Sequence, residues 1–306
     1  MESKPKGTVA AKRHEDAKAQ YNRGLMAAAV ENGRHTKMPK AFFLAKRLKG
    51  GWSWISMFKI YGTSRALEPV YKVADSSKDL LPPEIICKFK TVSKDIEEFI
   101  RYTEFGECGG ARFGHHIKTI RDCPDDIDTI VSLGAGSSLA EMCGLWHRKQ
   151  MGLKMPKVYL VDSDNVGLKR AKMFAEHLGL TEHVVFEKAM VGPSYHLPKN
   201  VGNIFVISVG LIGNYFTRKE LQEVLHYISK HKKVTKICVD FVDLELAEKM
   251  KYAVGWPVAT KNDPWGVRPR GVEKIKEYFV DGFDHEIIEL AGGRNRYLHM
   301  DRIVEE

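Results

Sequence analysis

A chain of 306 residues with 43% hydrophobic and 28% charged residues has room for one large α/β domain plus an extension, and its composition excludes wholesale disorder. No run approaches the ~18 apolar residues of a membrane span, and the opening MESKPKGTVAAKRHEDAK lacks the apolar core of a secretion signal, so a cytoplasmic protein is expected. The net charge is +9, and residues 1–60 hold thirteen Lys and Arg against four Asp and Glu, so the leader carries the whole excess.

Residues 9–32 are Ala-rich and laced with charge, which suits a helix stopped at Gly33, and residues 38–48 read as a second, shorter helix. The aromatic stretch GGWSWISMFKIYGTS follows. Its rings either stack on a planar ligand or staple the leader onto its neighbour. A basic leader of this kind either attracts phosphate backbones through a salt-sensitive Coulomb term or is a solvated helix face. Pro82-Pro83 separates it from residues 84–102, whose apolar positions recur at helical spacing. The next stretch, FGECGGARFGHHIKTI, has four glycines within nine positions and reads as a flexible loop ahead of a short helical piece.

From residue 128 strand and helix patterns alternate regularly. Strands are expected at 129–133, 157–161, 184–188, 203–209 and 236–241, with helices at 138–151, 165–178 and 218–230. Such an alternation implies a parallel sheet with right-handed crossovers and helices on both faces. A helical segment 244–254, a loop WPVATKNDPWGVRPRG, a helix 272–279 and two strands at 284–290 and 296–303 around the turn AGGRN complete the chain. The expected fold is therefore α/β and Rossmann-like, a mostly parallel seven-stranded sheet ending in an antiparallel hairpin. Residues 1–120 form a mainly helical extension or lid, and residues 121–306 the Rossmann-like domain. The five cysteines have no C-x-x-C pair or neighbouring histidine at metal spacing, so buried reduced thiols are expected and no metal site.

TIVSLGAGSSLAEM runs from strand through Gly134-Ala135-Gly136 straight into helix, giving a backbone without Cβ obstruction and the free N–H groups of a helix start. Glycines also serve such turns with no ligand. At the end of the next strand VYLVDSD puts Asp162 at the same edge, where a carboxylate accepts the two hydroxyls of a ribose. A dinucleotide fingerprint has a third glycine and an acid about 20 residues on. Here the third position is Ser138, and Asp162 lies 28 residues beyond Gly134.

VSLGAGSS, LVDSDNVGLKRAKMFAEHLGL, VVFEKAM, NIFVISVGLIGNYF and the closing pair GFDHEIIEL and NRYLHMDRI together resemble the class I S-adenosylmethionine-dependent methyltransferases, over roughly residues 112–302. The resemblance implies S-adenosyl-L-methionine as cofactor. It implies that Gly134, Ala135 and Gly136 lie against the donor's aminoacyl and ribose part, that Asp162 binds the ribose and that Ser163 flanks the adenine. Ala189 and Met190 stand where the family often has an acid near the adenine, which leaves only backbone or apolar contact. Ser132 replaces a common acid two positions before the first glycine. Ser208, Val209 and Gly210 are expected to face the methyl group. Arg112 suits the donor carboxylate as a bidentate guanidinium, or else is an ordinary surface arginine. His115 and His116 are general-base candidates that cannot both face one site, and Asn214 and Tyr215 are candidates for acceptor contact. Trp256, Trp265, Arg268 and Arg270 either line the acceptor pocket or cap the core. The expected function is methyl transfer to a small-molecule acceptor under the N-terminal lid. A nucleic-acid (RNA) methyltransferase using the basic arm and a dinucleotide-binding oxidoreductase are the alternatives.

Overall fold

The computed structural model of the chain describes residue 68 and residues 70–89, 104–243 and 268–304. The expected helices at 9–32, 38–48 and 244–254, the aromatic stretch at 52–61 and the two tryptophans 256 and 265 lie outside the described residues.

Seven strands form one sheet: β1 (Ile127–Leu133), β2 (Lys157–Asp162), β3 (Val184–Lys188), β4 (Asn203–Ser208), β5 (Val234–Val242), β6 (Phe283–Leu290) and β7 (Asn295–Arg302). Their order is β3-β2-β1-β4-β5-β7-β6. The first five are parallel, and β7 runs antiparallel between β5 and β6. β1 and β4 are neighbours although the chain leaves them in opposite directions across the sheet, so a crevice opens at their carboxyl ends.

Side chains alternate across a strand and therefore build two cores. Ile130, Leu160, Phe205 and Ile207 face one layer of helices, while Val131, Val161, Val206 and Val239 face the other. The helices of the first layer are α1 (Pro83–Ile86), α2 (Glu104–Arg121), α3 (Leu139–Gln150) and α4 (Asn165–Leu178). Beyond β4 come α5 (Ile212–Tyr215), α6 (Arg218–Lys230) and α7 (Val272–Lys276). Local chemistry sets their ends. The Asp164 side chain accepts the Val166 N–H at the start of α4, and Gly179 closes that helix in the left-handed conformation. Thr217 and Glu220 form a reciprocal capping box on α6.

Two expectations are corrected. The glycine-rich stretch is not a loop but helix α2. Its glycines make a flat face on which the segment 70–77 lies: a Cβ at Gly110 would come within 2.5 Å of Ser76 Oγ, and one at Gly114 within 2.6 Å of the Ser76 carbonyl oxygen. Close backbone approach outweighs the poor helix propensity of glycine. The far end of α2 is held by Arg148, 1% exposed, whose guanidinium donates to the carbonyls of Arg121 (2.8 Å) and Cys123 (2.6 Å) and pairs with Asp125. The second correction concerns the start of the helix expected at 84–102: the helix stops at Ile86, and the chain turns to bury Phe89 edge-on against Phe174 of α4, while residues 90–102 lie outside the described residues. The helix expected at 272–279 likewise stops at Lys276.

Replacing a helical glycine by alanine ordinarily gains up to about 1 kcal/mol. Gly114→Ala is expected to do the opposite and lower the urea midpoint, by about 1–3 kcal/mol, because the new methyl meets backbone that must move.

Candidate functional site

The carboxyl ends of β1, β2, β4 and β5 converge on one edge. β1 ends in Gly134-Ala135-Gly136, with both glycines at positive φ, and the Gly134 and Ala135 N–H groups donate to the Val161 carbonyl. The turn thus stays tied to β2. Asp162, the last residue of β2, accepts the Gly136 N–H on one carboxylate oxygen and the Asp164 N–H on the other, each at 2.7 Å. Asp164 caps α4 by itself, which leaves Asp162 to the turn. Ser163 is exposed beside it. The Ala189 N–H donates to the Asp162 carbonyl, bringing the end of β3 alongside, and Met190 beyond it is 71% exposed.

Two contacts set the height of this turn. A Cβ at Gly134 would lie 2.5 Å from Leu211 Cβ, and a Cβ at Gly167 on α4 would lie 2.7 Å from the Gly136 carbonyl carbon. Gly167 therefore provides the close helix approach that the missing third glycine does not. A glycine inside NVGLKRAKMFAEHL was the available signal.

On the other side of the crevice Ser208 turns inward. Its hydroxyl donates to the Leu133 carbonyl at 2.8 Å and is 1% exposed, so its side chain does not face the crevice as expected. Val209 and Gly210 are what the end of β4 presents. Asp240 on β5, fully buried, accepts the Gly210 N–H (2.6 Å) and the Asn214 side-chain amide (3.0 Å), and its second oxygen lies 3.3 Å from Arg112 Nε. Arg112 thus has a protein carboxylate as partner and is no ordinary surface arginine. Its guanidinium rests over Gly210. The signal for Asp240 was an acid inside the apolar run KICVDFV.

Of the two alternatives for Arg270, its surroundings are those of the core. It is 6% exposed and donates to the carbonyls of Gly213, Phe216 and Arg268 and to the Tyr278 hydroxyl, with its guanidinium over the Tyr278 ring. Burial pulls its pKa down. Arg268 holds the Tyr215 carbonyl at 3.1 Å. Together they fasten α5, and with it Asn214 and Tyr215, from beneath.

The two adjacent histidines diverge. His115 Nε2 lies 3.1 Å from His299 Nε2, and the ring tilts against Tyr297. His116 is buried with Nε2 3.7 Å from Glu141 and without a hydrogen-bond partner among the described residues. Burial lowers His115 to about 4 and His116 to about 3. Glu141, on the first turn of α3, accepts a hydrogen bond from Ser132 of β1. Burial pushes its carboxyl up to about 7 against the pull of the Ser132 hydroxyl. Sequence reasoning passed over Glu141 because an acid on the first helical turn is ordinary helix chemistry. Among the described residues no group of three His, Cys, Asp or Glu side chains is placed to hold a metal ion, and no helix is long and apolar enough to cross a membrane. Cys108, Cys123, Cys143 and Cys238 are buried free thiols and Cys87 is exposed.

The strand order, with β7 reversed between β5 and β6, decides the architecture. The fold is the α/β Rossmann-like one expected, a mostly parallel seven-stranded sheet with a terminal antiparallel hairpin. No family model matches the sequence, and no curated protein matches it. Among solved structures, a possible exported protein from Bordetella parapertussis is 12% identical, with 97% of this chain and 98% of that one covered and a TM-score of 0.57. A small RNA methyltransferase is 14% identical over 64% of this chain and 26% of its own, with a TM-score of 0.49. The magnesium protoporphyrin IX methyltransferase of Synechocystis, solved with bound SAH, is 14% identical over 76% of this chain and 97% of its own, with a TM-score of 0.47. These are likenesses of fold.

The raised Glu141 pKa has a stability consequence of definite sign. The folded state holds this proton more tightly than the unfolded chain, so the contribution is complete below about pH 4.5 and is lost as the pH rises through about 7. Glu141→Gln removes that loss. Its melting temperature relative to the parent is expected to rise between pH 5 and pH 8, corresponding to at most about 3 kcal/mol, and calorimetric scans at the two pH values check it.

Proposed function

We propose that the protein is an S-adenosylmethionine-dependent methyltransferase. The observation that carries this reading is the Asp162 carboxylate held against the Gly136 N–H at the crevice between β1 and β4. A carboxylate fixed there has lone pairs left for both hydroxyls of a ribose. The residues fit the donor in one further respect: Gly134 and Gly136, both at positive φ, present backbone without a Cβ at the carboxyl end of β1.

In this reading Gly134, Ala135 and Gly136 carry the aminoacyl and ribose part, Asp162 the ribose hydroxyls, and Ser163, Ala189 and Met190 border the adenine. Arg112 keeps Nε toward Asp240 and offers its outer nitrogens to a carboxylate, a fork geometry that suits that group. Val209 and Gly210 border the methyl group. The bound donor supplies a sulfonium methyl that is displaced in line. What the chain must then do is align the acceptor and accept a proton where the acceptor carries one. His115 and His116, held neutral with low basicity, are poorly matched to that task at neutral pH, so Tyr215 on the fastened helix α5 remains the acceptor-side candidate.

A small-molecule acceptor beneath the N-terminal extension accords with the packing of Tyr71, which stacks on Phe113 at 3.8 Å, one residue from Arg112. The boundary of that extension at residues 120 and 121 lies in the last turn of α2, so lid and domain share one helix. A nucleic-acid acceptor is the second reading, supported by the concentration of the whole charge excess in residues 1–60. It requires steeply salt-dependent RNA affinity that disappears on deleting that arm.

Titration calorimetry with S-adenosylmethionine is expected to give binding to the parent and at least a tenfold loss, about 1.4 kcal/mol, for Asp162→Ala. Undiminished affinity in the variant would remove the ribose assignment, and binding of NAD in place of the donor would turn the reading toward an oxidoreductase.

A further inference from the structure

We propose that Glu141 takes the place of the acid absent from the end of β1 and receives the ammonium group of the methyl donor, one proton leaving the site as the donor binds. This rests on the donor reading above. Ser132 lies two residues before the glycine turn and Glu141 five residues after it, and the hydrogen bond between them puts the carboxyl against the end of β1. A serine in the strand and a glutamate on the helix thereby supply what a strand carboxylate alone supplies elsewhere.

Among the described residues no lysine or arginine pairs with Glu141. From α2 it meets His116, neutral and with Nε2 unpartnered; Arg112, one turn earlier on the same helix, pairs with Asp240 instead. From β2 it feels the negative charge of Asp162, and its own charge acts on the Tyr71 hydroxyl of the segment 70–77 and on the buried thiol of Cys143 on its own helix. A carboxyl that is 2% exposed and has only a hydroxyl for a side-chain hydrogen-bond partner holds its proton into the neutral range. An arriving ammonium reverses the balance: the carboxyl ionises, its proton passes to solvent, and a charge-assisted pair forms.

The test is calorimetry with S-adenosylhomocysteine at pH 6 and pH 8, beside 5′-methylthioadenosine, which lacks the aminoacyl arm. For the parent, the affinity for S-adenosylhomocysteine is expected to rise about tenfold between the two pH values, with proton release read from buffers of different ionisation enthalpy. For Glu141→Gln the rise and the proton release disappear, and 5′-methylthioadenosine shows neither with the parent. Ser132→Ala, which leaves Glu141 in place, is expected to move the rise to higher pH. A parent affinity independent of pH, or a rise that persists in Glu141→Gln, overturns the assignment while leaving the donor reading intact. Absence of binding by both nucleosides overturns the donor reading and this inference with it.

Discussion

The Gly134–Gly136 turn is clamped from three directions, and the geometry of the whole edge follows from that clamp. Asp162 draws the Gly136 N–H toward β2, Gly167 lets α4 close on the Gly136 backbone, and Leu211 from the far side of the crevice covers Gly134. Two of these contacts come from the β2–α4 unit and the third from the residues after β4, so the turn has its shape only when β1, β2 and β4 are in register. A hydrogen bond to a charged acceptor contributes about 1.5–3 kcal/mol, enough to keep the carboxylate on the turn and its unused lone pairs directed at the crevice.

Around this clamp the protein buries charge in two contrasting ways. On the β5 side the charges are matched: Asp240 has two donors and the Arg112 guanidinium, and Arg270 is distributed over three carbonyls and a phenol. Buried polar groups so satisfied make a rigid floor under residues 210–216. On the β1 side the match is incomplete, with a carboxyl facing an orphaned imidazole nitrogen. Such incompleteness is costly in a free protein and is found where a ligand finishes the network.

Much of the architecture was legible from periodicity. Helix 165–178 was delimited correctly because Asp164 and Gly179 are strong local signals, and helix 218–230 because Thr217 and Glu220 are spaced for a capping box. The strands stood out because parallel strands buried on both faces read as short apolar runs. Residues 104–121 were misjudged for a physical reason. Glycine propensity is a local quantity, whereas what makes those glycines helical is the segment 70–77 lying across them. Arg270 was left open between pocket and core for a similar reason, since nothing in WGVRPRG states that its carbonyl partners Gly213 and Phe216 sit 57 and 54 residues earlier.

By itself the sequence determined the run of strands and helices, the glycine turn and the carboxylate at the end of the second strand, because each rests on residues adjacent in the chain or at fixed spacing. Only the tertiary structure decided what those parts face. Asp240 beneath Gly210, Gly167 against Gly136, and Glu141 behind Ser132 are meetings between elements 9–31 residues apart or between distant strands, and hydrophobic periodicity carries no information about which buried polar groups will find one another.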